Sequence, residues 1–239
     1  MSVNLFIPCF IDQLAPEIGG SLADLLTCLE VPWEYPGDQT CCGQFALTVG
    51  DFPTARRLMR HFMRVFAEAE AIVCPSASCT LMVRRCYPKL AESLEEKRLA
   101  EKVAARTLEL SEWLAAQGPL PWTPIFSGDL VLHHSCKARQ LGTLAGASRL
   151  LAQVQGLTIK EVSPYYPCCG FGGAFKYQHP DIAQTIGEAY LEAVQETGAR
   201  GVVSLDYSCL MHLRSVAAVC GLNLNFFHLA ELVLPPRNR

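Results

Sequence analysis

The chain contains no run of 18 uninterrupted apolar residues, so no membrane-spanning helix is expected from it. Its opening residues, Met1-Ser2-Val3-Asn4-Leu5-Phe6-Ile7-Pro8-Cys9, lack the basic region of a secretory leader. Asp12 and Glu17 then follow before any long apolar stretch. No sign of charge dominates. Twenty Lys and Arg stand against 23 Asp and Glu, for a net charge of −3, which offers no basic field to nucleic acid. Seventeen Gly and fifteen Pro are too few for a collagen-like or low-complexity chain, and a hydrophobic content of 50% excludes disorder. Gly170-Phe171-Gly172-Gly173 lacks the G-x-G-x-x-G spacing of a dinucleotide loop. No Ser-His-Asp set or carboxylate pair stands out. The expectation is a cytoplasmic protein with no membrane span and no nucleic-acid partner.

What the chain has in excess is cysteine, twelve in 239 residues. In a reducing compartment, clustered thiols point to metal binding or catalysis before disulfides. Their spacing exposes a duplication. Cys9 precedes Cys41-Cys42-Gly43 by 31 intervening residues, and Cys136 precedes Cys168-Cys169-Gly170 by the same 31. The offset between the two sets is 127, and it also relates Pro53 to Pro180. Each half then ends in a further cysteine after an apolar run, Cys79 and Cys209, with three extra residues in the second half.

The coarse structure repeats with the cysteines. Short buried strands are expected at 2–7 and 129–133, helices at 17–30 and 139–155, and strands at 32–35 and 157–162. Longer helices follow at 53–69 and 180–197, the first with Met59, Phe62, Met63 and Phe66 on one face, the second with Ile186, Ala189, Tyr190 and Ala193. Strands at 71–74 and 201–205 lead into the last cysteines. Alternating strands and helices predict α/β architecture: two duplicated Rossmann-like halves related by pseudo-twofold symmetry, with parallel sheets flanked by helices. The domain reading is a first half at 1–88, a connecting helix and Pro-rich linker at 89–128, and a second half at 129–239. Residues 89–117 read as one charged helical stretch, ended by Gly118-Pro119-Leu120-Pro121.

In such halves, ligands bind beyond the carboxyl ends of the strands. Four thiols per half would therefore converge on one edge, Cys9, Cys41, Cys42 and Cys79 from the first and Cys136, Cys168, Cys169 and Cys209 from the second. Thiolates are soft ligands suited to iron–sulfur clusters or zinc. Adjacent cysteines in one loop can reach different metals of a cluster, which one tetrahedral ion does not require. A vicinal disulfide would be strained. Cys28, Cys74, Cys86 and Cys220 fall outside the pattern and read as small packing residues.

At these residues the chain resembles the CCG cysteine-rich domain proteins, whose pattern is Cys, CCG and then Cys-x-x-Cys. Within them it is similar over essentially its full length to the A subunit of the bacterial lactate-utilisation complex. The segments FIPCFIDQLAP, CCGQFALTVGD, IVCPSASCTLMV, HHSCKARQLG, CCGFGGAFK, LDYSCLMHL and NFFHLAELV carry the resemblance. It implies an iron–sulfur electron-transfer protein that works with two other subunits to oxidise L-lactate to pyruvate, and so part of an oxidoreductase. The eight cysteines named above would be its cluster ligands. The domain also occurs in the B subunit of heterodisulfide reductase, where it holds non-cubane clusters and zinc has been considered for one half. This chain departs from the fuller motif, having Ser76-x-x-Cys79 and Asp206-x-x-Cys209. One cysteine fewer per half leaves room for a [4Fe–4S] cluster in each, a cluster in one only, or zinc in one. A zinc-stabilised scaffold and a thiol–disulfide redox subunit are the alternative functions.

Further candidates surround the second set. His133 and His134 precede Cys136 and read as structural residues or as hydrogen-bond donors to a ligand. Asp206, in the place of a missing cysteine, reads as an oxygen ligand, an acceptor or a loop cap. Lys137, Arg139 and Lys176 read as surface cations or as a counter-charge to a cluster or a lactate carboxylate. His179 reads as a helix start and His228 as a packed residue. Cys74 aligns with Ser204 and reads as a strand-end thiol.

Overall fold

The computed structural model describes residues 2–162 and 168–236. The chain forms two compact units, residues 1–113 and 114–239. Each is built on a four-stranded, all-parallel sheet with helices packed around it.

In the first unit the elements run β1 (Val3–Leu5), α1 (Cys9–Leu14), α2 (Pro16–Cys28), β2 (Trp33–Glu34), α3 (Gln44–Thr48), α4 (Phe52–Val65), β3 (Ala71–Cys74), α5 (Ala77–Leu81), α6 (Tyr87–Leu90), α7 (Leu94–Arg106) and β4 (Thr107–Glu109). A π-helical turn, Met82–Cys86, joins α5 to α6. The helix α8 (Leu110–Ala116) crosses the boundary. The second unit continues with β5 (Ile125–Leu132), α9 (Cys136–Leu141), α10 (Leu144–Leu151), β6 (Gln155–Lys160), α11 (Phe175–Gln178), α12 (Pro180–Glu196), β7 (Gly201–Ser204), α13 (Tyr207–Val219), β8 (Asn225–His228) and α14 (Leu229–Leu232).

The strand orders correspond, β2-β1-β3-β4 and β6-β5-β7-β8. Val3 and Leu5 pair in register with Ala71 and Val73, as Val131 and Leu132 pair with Val202 and Val203. The middle strands β3 and β7 are buried along their whole length, as interior strands of a two-faced parallel sheet must be. From β1 the chain leaves to one side of the sheet, toward β2, and from β3 to the other, toward β4. The loops after β1 and β3 therefore diverge and open a crevice at the strand ends. Those after β5 and β7 do the same.

The expected two α/β halves with parallel sheets are thus present, and several details differ from the periodicity reading. The stretch 89–117 is not one helix. It contains β4, whose buried Thr107 and Glu109 give no apolar alternation to announce a strand. The helix expected at 139–155 is broken into α9 and α10 at Gly142, which takes a left-handed conformation (φ 84°) and caps α9. Met59, Phe62 and Met63 on α4 and Phe66 at its carboxyl cap are buried as expected. On α12 the buried stripe runs through Ala183, Gly187, Tyr190, Leu191, Ala193 and Val194, so Tyr190 and Ala193 are buried as expected, with Ile186 and Ala189 half-buried at its side. Among the described residues, no helix is long and apolar enough to cross a membrane.

Candidate metal centre

All twelve cysteines are free thiols. Cys9 opens α1 directly after β1, and Cys79 lies in the first turn of α5 directly after β3. The two therefore stand on opposite sides of the crevice, and the Cys41-Cys42 pair links them. Cys9 Sγ lies 3.7 Å from Cys41 Sγ, and Cys42 Sγ lies 3.4 Å from Cys79 Sγ. Adjacent side chains thus point to different partners. Cys9 and Cys41 are half-buried, and Cys42 and Cys79 are buried.

The chain's own contacts hold this arrangement. Gly43 has a left-handed backbone (φ 84°), open to glycine, and its amide donates to Cys41 Sγ at 3.3 Å. Gln39 clamps the approach to the CCG turn against the end of β1. Its Oε1 accepts from the Ile7 amide at 2.7 Å, while its Nε2 donates to the carbonyls of Leu5 at 3.1 Å and Pro36 at 3.0 Å. The buried Tyr87 hydroxyl donates to the Cys42 carbonyl at 2.9 Å. Behind the sulfurs lies an aromatic cluster, with Phe6 edge-on to Phe62 at 4.8 Å and Phe62 edge-on to Tyr87 at 5.5 Å.

Cys9, Cys41 and Cys42 cannot all ionise unaided at this separation. The Cys42 and Cys9 thiols beside Cys41 pull its pKa down to about 3, and the Gly43 amide assists. Cys9 and Cys42 shift upward, held protonated by that contact with Cys41 and by burial. Ionisation of Cys41 thus comes at the expense of Cys9 and Cys42, and a cation would be needed to deprotonate those two as well. This donor set suits a thiophilic metal or cluster, whose positive charge would replace the protons. Cys74, expected at the strand end, is there and fully buried, with its thiol pushed well up by burial and then by Cys79. Ser76, in the place of the missing cysteine, caps α5 by accepting from the Cys79 amide at 3.3 Å.

The second unit repeats the frame with different fittings. Cys136 opens α9 after β5, and Cys209 lies in the first turn of α13 after β7. The Gly170 amide donates to Cys168 Sγ at 3.3 Å and the Phe171 amide to Cys169 Sγ at 3.5 Å. Gly170 is left-handed (φ 92°), and a Cβ there would meet the Ala183 carbonyl oxygen of α12 at 2.4 Å. Ser135 Oγ donates to Asp206 Oδ2 at 2.6 Å and accepts from the Ala138 amide at 3.1 Å. Asp206 is thus a buried acceptor that ties the loop after β7 to the loop after β5.

The larger difference is His133. It is 1% exposed, and its ring meets Tyr190 edge-on at 4.8 Å. Its ligand atom, with Cys169 Sγ and Cys209 Sγ, forms a group whose members all lie within 4.8 Å of one another. Burial, reinforced by His134 and Arg139, lowers the imidazole pKa to about 3, so the ring is neutral at neutral pH. Sequence reasoning named His133 without distinguishing it from His134, which the structure leaves exposed. It did not single out Gln39, and it placed Tyr190 only on a helix face.

The remaining candidates take plainer positions. Lys137 and Arg139 lie on α9, where both favour ionisation of Cys136, although burial still raises that thiol. Lys176 is half-buried on α11. His179 stands at the start of α12, and His228 caps α14 by accepting from the Ala230 amide at 3.2 Å. Cys86 is half-buried, but Cys28 and Cys220 are exposed, contrary to the packing role expected of them. They sit at the carboxyl ends of α2 and α13, where a helix turns its last residues to solvent.

Comparison with known proteins agrees with this geometry. The cysteine-rich CCG domain family matches twice, over residues 3–84 and 130–214, one match to each sheet. Lactate utilization protein A of Bacillus cytotoxicus is 32% identical over 98% of both chains. Lactate utilization protein A 2 of Bacillus cereus (strain Q1) is 33% identical, again over 98% of each. Lactate utilization protein A 1 of Bacillus mycoides is 30% identical across 100% of this chain and 99% of that one. With both cysteine sets at the same place in both matched segments, the chain belongs to the cysteine-rich CCG domain family, in its lactate utilization protein A branch.

Proposed function

We propose that this chain is the iron–sulfur electron-transfer subunit of a cytoplasmic complex that oxidises L-lactate to pyruvate. The observation that carries the reading is the convergence of Cys9, Cys41, Cys42 and Cys79 on one crevice at the ends of β1 and β3. Cys136, Cys168, Cys169 and Cys209 hold the corresponding positions in the second unit. An iron–sulfur cluster, of [4Fe–4S] type, would supply one-electron redox chemistry to a reaction that releases two electrons. The chain's part is to present thiolates, to donate amide N–H groups from Gly43, Gly170 and Phe171 to sulfur, and to shield the site with buried aromatics. Amide donation and burial act in opposite directions on the potential, so the balance between them tunes it. Lys137 and Arg139, at the edge of the second site, would offset cluster charge or meet a lactate carboxylate.

Zinc in the second unit is a second reading, favoured by the compact His133, Cys169 and Cys209 group. Anaerobic purification, iron and acid-labile sulfide analysis, and EPR after addition of lactate and the partner subunits decide between them. Iron with stoichiometric sulfide and a lactate-dependent signal is expected. Zinc without sulfide in both units would overturn the electron-transfer reading.

A further inference from the structure

We propose that His133 is a metal ligand, joined by Cys169 and Cys209, so that the second unit holds a mixed imidazole–thiolate centre while the first offers thiolates alone. The inference rests on the reading that the CCG cysteines bind metal, and it adds a residue outside the cysteine pattern.

The geometry is already close to what one metal atom needs. Tetrahedral coordination with bonds of about 2.3 Å to sulfur and about 2.0 Å to nitrogen sets neighbouring ligand atoms roughly 3.5–3.8 Å apart. The three ligand atoms here all lie within 4.8 Å of one another, so a shift of about 1 Å closes the set. The ring is held for the purpose. Its residue directly follows β5, where the His133 amide donates to the Val203 carbonyl at 2.8 Å, and Tyr190 packs edge-on against it.

No hydrogen bond among the described residues accounts for the imidazole. Both its nitrogens are buried without a hydrogen-bond partner among the described residues, as is the Tyr190 hydroxyl beside it. A buried polar group left unpaired is destabilising, so a partner is expected for it. The corresponding position of the first unit, 127 residues earlier, is Phe6, fully buried among Phe62 and Phe66. The fold therefore accepts a phenyl ring there, and packing alone does not call for an imidazole. Cys136 and Cys168 are both half-buried and close enough to act electrostatically on Cys209, so one of them would complete a four-ligand set.

The chemistry that fits is a divalent metal of borderline softness, ferrous iron or zinc, since imidazole and thiolate suit both. On iron, a neutral imidazole in place of a thiolate leaves less negative charge at the centre and raises its reduction potential. The two units would then differ in potential although their folds correspond.

The test uses the full chain, purified anaerobically and loaded in parallel with ferrous iron plus sulfide or with Zn²⁺ alone. Cys41→Ser/Cys42→Ser disables the first site, so the remaining metal belongs to the second, and its dependence on Cys169 is checked with Cys169→Ser. Pulsed EPR of the reduced iron form and X-ray absorption of the zinc form read the coordinating atoms. Expected are a nitrogen ligand that responds to ¹⁵N-histidine labelling, its disappearance in His133→Phe, and about a tenfold or greater loss of Zn²⁺ affinity in that variant, since losing even a partner that orients a ligand costs roughly 10–100-fold. Metal bound through Cys169 with sulfur coordination only would overturn the role of His133 and leave metal binding intact. No metal in the second unit of the wild type would overturn both. Should His133→Phe fail to fold, histidine labelling of the wild-type chain still shows whether an imidazole nitrogen is bound.

Discussion

Ser135 Oγ donates to Asp206 Oδ2 across 2.6 Å, joining the loops that follow β5 and β7 with two side chains that are each 1% exposed. The bond spans the divergence of the sheet, where no backbone ladder can. Asp206→Ala is expected to destabilise the second unit by about 1.5–3 kcal/mol, the range for a hydrogen bond to a charged group. Asp206→Asn, which keeps an acceptor, should cost less. Denaturant unfolding followed by a second-unit probe such as Trp122 measures both.

The CCG glycines should not be equally sensitive. A Cβ at Gly170 would meet the Ala183 carbonyl oxygen at 2.4 Å, whereas one at Gly43 would meet Leu58 Cβ at 3.3 Å and the Ala55 carbonyl oxygen at 3.4 Å. Both carry the penalty of a left-handed backbone, and only the first adds a backbone collision. Gly170→Ala is expected to cost about 3 kcal/mol or more, and Gly43→Ala about 1–2 kcal/mol. Paired unfolding curves test the order, and reversed sensitivities would refute it.

Gln39 gives a unit-specific prediction. Its removal frees the Ile7 amide and detaches the CCG approach from β1. Gln39→Ala should lower stability by about 1–3 kcal/mol and weaken metal retention in the first unit, with the metal that depends on Cys169 unchanged. Metal analysis of the variant, alone and combined with Cys169→Ser, makes the comparison.

Thiol labelling should sort the cysteines outside the two sets. Cys74, with no exposure, is expected to resist alkylation in the folded chain, while Cys28 and Cys220 react. The Cys220 thiol is pushed up by local desolvation and by the Glu188 and Glu192 carboxylates, so its thiolate fraction and its labelling rate should still climb above pH 9. Removing a negative neighbour lowers that pKa. Glu188→Gln should therefore speed labelling of Cys220 at pH 8 by roughly twofold, the scale of a screened surface charge. Peptide mass spectrometry across pH reads the rates.

The duplication and the α/β class were legible because the sequence states them twice, in cysteine spacing and in apolar runs that become β1, β3, β5 and β7. The strand β4 was hidden because its inward residues, Thr107 and Glu109, are polar. Glu109 is accommodated by accepting from the Ser111 amide at 2.8 Å, a solution no hydropathy pattern reveals. The four cysteines of each set could be grouped from spacing, since parallel strands bring their carboxyl ends to one edge. The difference between the units could not be grouped so. Setting Phe6 beside His133 requires the 127-residue offset, and only the packing shows that both rings fill one kind of place. The exposure of Cys28 and Cys220 was hidden for a related reason: a helix end reads like a helix interior until its cap is seen.

Gln39, Gly43, Gly170 and the Ser135–Asp206 pair shape the cysteine loops through bonds the polypeptide makes to itself. Under the proposed function, the socket would be cast when the sheets form, and loading would follow as a late maturation step. A delivery protein would meet a finished receptacle, and a centre lost to oxygen could be rebuilt in place without unfolding the chain around it.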